Sequence, residues 1–270
     1  VDIHWEYHIN ISEIPESLYL VCETPEKFKI TVNGKEMTEK DCGYYRDISF
    51  RKFNILDYAA EGLNTISFDC TFSQQKEVYQ KLKNAWCFES EKNNLVYDTE
   101  IEAIYLTGSF SVETSGQWKN VHKDVDCYSG DFTISGPRKK IHLKNIEKQG
   151  YPFFCGELTV EGKINIDGEN PVLYFDRKGV NVVKVCINGR ERVLLTESKL
   201  FLNEFGVKGI APVKITMINN LRNLLGPHHL KDEPRNLPIG PWTFYKEKCI
   251  WNPKEEFEWG KDYNFAVFGI

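Results

Sequence analysis

The stretch 219–241 contains the residues best suited to binding chemistry. It opens with two asparagines, contains Gly226-Pro227, and carries three further prolines before Trp242. A guanidinium donates hydrogen bonds to a ligand, and amide and imidazole groups can both donate and accept them. A tryptophan ring offers a flat apolar face. A long ordered loop is usually functional, although the two histidines could instead stabilise the loop itself. We therefore predict contact with carbohydrate or with a neighbouring domain at Arg222, Asn223, His228, His229 and Trp242.

A second cluster of oxygen ligands lies in the pattern Asp124-x-Asp126-x-x-x-Gly130-Asp131. Carboxylate oxygens are the ligands that Ca²⁺ prefers. The pattern departs from the EF-hand loop because Tyr128 and Ser129 stand where that loop has a ligand and a glycine. The sequence predicts a structural calcium site at Asp124, Asp126 and Asp131, with an ordinary polar loop as the alternative.

Catalytic signatures are absent from the sequence. It contains no G-x-S-x-G, H-E-x-x-H, G-x-x-x-x-G-K-[ST] or G-x-G-x-x-G pattern. A glycosidase needs two carboxylates that face each other across a sugar bond, and 39 acidic residues provide such pairs by chance. We therefore assign no catalytic residue.

Bulk composition excludes several classes of protein. The 270 residues carry a net charge of −5 without a basic stripe, which disfavours nucleic acid as a partner. No apolar run approaches the ~18 residues that a membrane-spanning helix needs. Eight scattered cysteines form no C-x-x-C pair and favour free thiols in the cytoplasm. Secretion stays open, because the chain begins at Val1 and we expect it to be part of a longer polypeptide.

One short pattern occurs twice, 155 positions apart. Residues 30–36 read as a strand, then Asn33-Gly34, then charge, and residues 185–191 repeat this order around Asn188-Gly189. Asn-Gly between apolar runs favours a type I′ hairpin, because both central residues need positive φ. The repeat predicts two copies of one β-domain.

Short alternating runs of apolar and polar residues dominate the chain. They predict strands joined by turns, among them strands at 4–11, 63–72, 139–143 and 157–166, with a helical insertion at 73–86 and a short helix at 54–62. Residues 113–130 are polar and rich in turn residues, so we place an interdomain stretch there. The sequence predicts an all-β chain of two tandem β-sandwiches, residues 1–130 and 131–270, with short helical insertions.

Several segments in order resemble a known family. They are "Gly-Leu-Asn-Thr-Ile" within 28–72, "Tyr-Leu-Thr-Gly-Ser-Phe-Ser-Val" at 105–112, the segment at 149–160, "Leu-Arg-Asn-Leu-Leu-Gly-Pro-His-His" at 221–229 and a terminal "Phe-Ala-Val-Phe-Gly-Ile". This order resembles the galactose-binding-like jelly rolls in the C-terminal region of α-L-rhamnosidase-like glycoside hydrolases, and the sugar-binding domains of family 2 glycoside hydrolases.

The resemblance implies an accessory role. In those enzymes the catalytic carboxylates belong to a separate upstream barrel, so the chain would be a non-catalytic region of a larger glycoside hydrolase. Its partners would be carbohydrate and the catalytic domain of the same polypeptide, and jelly rolls of this type often carry a structural calcium. A freestanding lectin-like carbohydrate-binding protein is the alternative.

Overall fold

A computed structural model describes residues 1–229 and 260–270. The described chain is mostly β, with the two α-helices α1 (Lys76–Cys87) and α2 (Arg222–Leu225). Neither of these helices has the length and apolar character needed to cross a membrane. The strands of the first part are β1 (Asp2–Ile11), β2 (Leu18–Glu23), β3 (Lys29–Val32), β4 (Lys35–Glu36), β5 (Tyr44–Tyr45), β6 (Asp47–Asn54), β7 (Gly62–Thr71), β8 (Tyr105–Gly108) and β9 (Ser111–Thr114). Then follow β10 (Gln117–His122), β11 (Val125–Ser129), β12 (Phe132–Ser135), β13 (Glu157–Ile166), β14 (Val172–Tyr174), β15 (Val180–Ile187), β16 (Arg190–Leu194), β17 (Lys199–Phe201), β18 (Gly209–Asn219) and β19 (Tyr263–Ala266).

The chain divides into two compact units. Among the described residues, the first contains Val1–Ser111 and Phe132–Pro137, and the second contains Val112–Asp131, 138–229 and 260–270. This division does not coincide with the predicted boundary at 130/131. Strand β12 belongs to the first unit because it pairs in parallel with β1, and β11 belongs to the second because it pairs with β19.

The first unit contains two sheets. One contains the strands β4-β3-β7-β1-β12 in this order, and the other has the order β5-β6-β2-β8. Side chains alternate between the two faces of a strand, so every second residue can point into the core. Leu18, Leu20 and Cys22 of β2 are buried in this way, as are Ile66 and Phe68 of β7. These side chains form one apolar core.

The second unit repeats part of this topology. Its main sheet has the order β13-β18-β15-β16, which matches β1-β7-β3-β4 of the first unit strand for strand. In both units the first and last of these strands along the chain pair antiparallel over ten residues. Strands β1 and β13 lie 155 positions apart, as do the two Asn-Gly turns. The predicted repeat is therefore present in the strand order as well as in the sequence.

Both Asn-Gly pairs form the predicted hairpin turns. Asn33 and Gly34 connect β3 to β4 with φ of 51° and 76°, and Asn188 and Gly189 connect β15 to β16 with φ of 51° and 75°. Two successive residues with positive φ are the signature of a type I′ turn. The local prediction is confirmed at both positions.

Two local predictions are wrong. Residues 113–130 form β10 and β11 rather than a linker, since β11 buries Val125 and Tyr128 and pairs with β19. No strand forms at 139–143, because the Gln149 side-chain amide bonds both the N–H and the carbonyl of His142. A side chain thus replaces the partner strand there.

Candidate functional site

The loop that follows β18 is held in place by its own asparagines. The Asn219 side chain accepts from the Gly156 N–H at 2.7 Å and donates to the Phe154 carbonyl at 2.8 Å. The Asn220 side chain accepts from the Arg222 N–H at 2.9 Å, a local turn that directly precedes α2. The asparagine-rich start of the loop therefore serves the backbone rather than a ligand.

Asn223 joins the loop to β19. Its side chain is buried, donates to the Ala266 carbonyl at 2.9 Å and accepts from the Ala266 N–H at 2.7 Å. Such a pairing satisfies two backbone groups that a neighbouring strand would otherwise bond. Asn223, one of the predicted contact residues, therefore has both ends of its amide committed to the fold.

The two histidines contact the same region. His228 Nε2 donates to the Asn223 carbonyl at 2.9 Å, and the ring centroid lies 5.6 Å from that of Phe153 and 5.5 Å from that of Phe265. Burial lowers the pKa of His228, so the imidazole is neutral around pH 7. His229 Nδ1 donates to the Asp262 carbonyl at 3.0 Å, and its ring lies 4.3 Å from that of Tyr263. The histidines therefore stabilise the loop, His228 through Asn223 of the loop itself and both rings through aromatic residues outside it, which was the alternative to ligand binding.

Arg222 differs from its neighbours in that its side chain makes no hydrogen bond within the described part of the chain. All three guanidinium nitrogens are buried, and none has a hydrogen-bond acceptor among the described residues. Burial lowers the pKa of the guanidinium, yet arginine starts so far above neutral pH that the group stays a cation. A buried cation without a partner is costly, so the Arg222 guanidinium is the group of this loop whose hydrogen-bonding capacity the described residues leave unused. The fifth predicted residue, Trp242, lies outside the described residues.

The predicted calcium residues occupy the hairpin between β10 and β11. Asp124 lies at the turn and pairs with the Lys178 ammonium at 3.0 Å. Asp126 is buried, pairs with the Lys148 ammonium at 2.5 Å and accepts from the Asn120 amide at 2.8 Å. Lysine ammonium groups therefore balance the charge of both carboxylates in this structure.

Asp131, the third predicted calcium ligand, contacts the hairpin through its backbone. Its backbone carbonyl accepts from the Tyr128 hydroxyl at 2.6 Å. Across the described part of the chain, no group of three or more histidine, cysteine or acidic side chains is placed to hold a metal ion. Calcium binding stays a prediction, and the lysine partners do not favour it.

Sequence reasoning missed a buried acid next to this hairpin. Glu147 has no exposed surface, and its Oε2 accepts from the Phe268 N–H at 2.8 Å. Its Oε1 lacks a partner among the described residues. Burial, opposed in part by the Phe268 hydrogen bond, raises the pKa of Glu147 to about 7. No local signal marks this acid, because its environment comes from the last residues of the chain.

Comparisons with known proteins give only distant similarities. No family model and no curated protein matches the chain. A β-D-mannosidase from Dictyoglomus thermophilum is similar in structure, with 17% identity, a TM-score of 0.27 and coverage of 81% of this chain and 24% of that one. An α-L-rhamnosidase from Streptomyces avermitilis, solved with L-rhamnose, has 8% identity, a TM-score of 0.27 and coverage of 80% and 21%. An α-L-rhamnosidase from Dictyoglomus thermophilum has 8% identity, a TM-score of 0.23 and coverage of 81% and 30%.

All three similar structures are glycoside hydrolases, the class named by the sequence resemblance. The chain spans less than a third of the length of each. Similarity this distant transfers neither a fold family nor an activity to this chain.

Proposed function

We propose that this chain is a non-catalytic accessory region of a larger glycoside hydrolase, built from two jelly-roll β-sandwiches. The repeated strand order and the paired Asn-Gly hairpins support two copies of one β-unit. The sequence resemblance supports the jelly-roll assignment and the separate catalytic barrel. In this proposal the region supports that barrel and binds carbohydrate, and the chain alone does not hydrolyse glycosides.

The assignment of the contact site rests on the buried, unpaired guanidinium of Arg222. Asn223, His228 and His229 fix the loop, while Arg222 keeps donors that no described residue accepts. Arginine offers five N–H donors in a rigid fork, which suits the paired hydroxyl or carboxylate oxygens of a sugar or of a partner domain. The loop therefore works as a fixed support with one unsatisfied cation.

An Arg222→Met variant tests this site. Methionine keeps a long apolar stem and removes a buried unpaired charge, so we expect the variant to unfold at the same temperature as the wild type or higher. We expect its binding to immobilised plant and bacterial glycans to fall about tenfold or more, because charge-assisted hydrogen bonds are lost.

The matched control is Arg192→Met. Arg192 is exposed and pairs with Glu204 at 2.9 Å, away from the loop. The control should bind glycans like the wild type. A stable Arg222→Met protein whose glycan binding, and whose effect on the activity of the full-length enzyme, are both unchanged would show that the loop is only a connection.

A further inference from the structure

The second unit contains a cavity of about 300 Å³ that the proposed loop site does not include. Four segments enclose it: the turn between β10 and β11, residues 144–148, residues 176–178 and the C-terminal residues 267–270. Four lysines line it together with two aspartates and two asparagines, so its wall carries an excess of positive charge. We call it the lysine pocket, after Lys123, Lys144, Lys148 and Lys178.

Backbone hydrogen bonds fix the walls of the lysine pocket. Lys178 and Gly269 exchange two backbone hydrogen bonds, at 2.8 and 2.9 Å, and Val267 donates to the Asp124 carbonyl at 3.0 Å. The Ile146 N–H donates to the Phe268 carbonyl at 2.8 Å. Segments far apart in sequence are therefore tied to one short C-terminal stretch, and the cavity is preformed.

The four lysines fall into two pairs with different roles. Lys148 and Lys178 are anchored, the first by buried Asp126 at 2.5 Å and the second by Asp124 at 3.0 Å. Lys123 and Lys144 are exposed and have no carboxylate within ion-pair distance in the part of the chain that the structure describes. Two ammonium groups of the pocket are thus left without an ion-pair partner, beside two that carboxylates already neutralise.

Two further polar residues of the pocket complement these lysines. Asn145 lines the cavity and its side chain has no hydrogen-bond partner among the described residues, and Asp176 is exposed at the wall. Amide and carboxylate groups of this kind bond hydroxyls. A cavity of about 300 Å³ lies at the small end of ligand sites and matches one sugar-sized molecule.

We propose that the lysine pocket binds a small hydroxylated acid, such as a uronic acid or a sugar phosphate. The acid group would lie between the ammonium groups of Lys123 and Lys144, and the hydroxyls would contact Asn145 and Asp176. The pocket shares no residue with the 219–229 loop, so the result for one site does not decide the other.

Titration calorimetry on the whole chain tests the proposal with five probes. Galacturonate and glucuronate carry a carboxylate, glucose 6-phosphate carries a phosphate, galactose is neutral, and inorganic phosphate has the charge without the sugar. We expect at least one of the three acidic sugars to bind about tenfold tighter than galactose and than inorganic phosphate. Comparing the affinities of the two uronates with that of glucose 6-phosphate shows whether the pocket prefers a carboxylate or a phosphate. Inorganic phosphate binding as tightly as every acidic sugar, or no acidic sugar binding, would overturn the assignment.

A double variant, Lys123→Gln with Lys144→Gln, locates the site. Both side chains are exposed and unpaired, so the fold should be retained, and acid binding should fall about tenfold or more. The matched control, Lys163→Gln with Lys208→Gln, removes the same charge from exposed positions of the same unit outside the pocket. An equal loss in the control would mean that overall charge, and not the pocket, attracts the acid.

Asp176→Asn gives a test of opposite sign. It removes a negative charge from the pocket wall and keeps an oxygen acceptor, so acid binding should tighten roughly twofold to fivefold. A variant that merely damages the fold cannot improve binding. Weaker acid binding by this variant, with the thermal unfolding temperature unchanged, would contradict the proposed position of the acid group.

Discussion

The buried acid Glu147 illustrates how a single residue can set the pH dependence of this protein. Its pKa is raised from 4.5 to about 7, first because burial disfavours the charged form and further because Asp126 lies near, while the Phe268 N–H and Lys148 act in the opposite direction. The folded state therefore binds the Glu147 proton more tightly than the unfolded state does. Between pH 4.5 and about 7 this group makes the folded protein less stable as the pH rises.

The variant Glu147→Gln removes this titration and keeps an oxygen for the Phe268 N–H. Above pH 7 the wild type pays a penalty of about 3 kcal/mol for the buried charge, and the variant does not. We expect the free energy of unfolding of the variant relative to the wild type to rise from pH 5 to pH 7.5, in urea titrations at each pH. A constant difference across this range would mean that Glu147 has an ordinary pKa.

The reactivity of each cysteine thiol depends on how deeply that residue is buried. Cys22, Cys42, Cys70, Cys87, Cys127 and Cys186 are free thiols in the structure. Burial raises the pKa of Cys22 to about 12, so that thiol is a small apolar core group rather than a nucleophile. Exposed Cys42 and Cys87 are the thiols that a reagent would reach first.

The two Asn-Gly hairpins allow a prediction at the level of elements. Gly34 and Gly189 have φ near +75°, and a methyl group at either position would meet no atom within 4 Å. Backbone strain is therefore the whole cost of alanine there, and we expect Gly34→Ala and Gly189→Ala each to destabilise the strands they join by about 1 kcal/mol. Hydrogen exchange of β3 and of β15 measures the two effects separately.

Gly162→Ala is the control for these turns. Gly162 lies inside β13 with φ outside the left-handed region, and its added methyl group would also meet open space. Alanine should leave stability unchanged or raise it slightly, because it restricts the unfolded chain. Unequal costs at Gly34 and Gly189 would contradict the equivalence of the two turns.

Whether an element could be predicted from the sequence depends on how local the interactions are that form it. Strands with strict alternation, such as β1, β7 and β13, and the Asn-Gly turns depend on local patterns, and they were predicted near their observed bounds. The hairpin β10–β11 was missed because it depends on β19, more than 130 residues away. The loop site is a prediction from residue types, whereas the partners of Asn223 and His228 follow from tertiary contacts.

At the level of the whole molecule, each unit has its own apolar core. The core of the first unit includes Phe68, the core of the second includes Phe205, and the two clusters share no residue. Each cluster lies within one of the two compact units. Since most stability comes from burial of apolar surface, a core substitution should act mainly on the unit that contains it.

Phe68→Ala and Phe205→Ala test whether the two units are also separate units of folding. Both rings are almost fully buried, so each substitution should cost about 3–5 kcal/mol in its own unit. Phe68→Ala should raise hydrogen exchange across β7 and leave β18 protected, and Phe205→Ala should do the reverse, because neither core contains the other ring. The opposite substitution thus serves as the control for each. Faster exchange in both strands from either single substitution would mean that the chain unfolds as one cooperative body, and the repeat would then describe its topology but not its energetics.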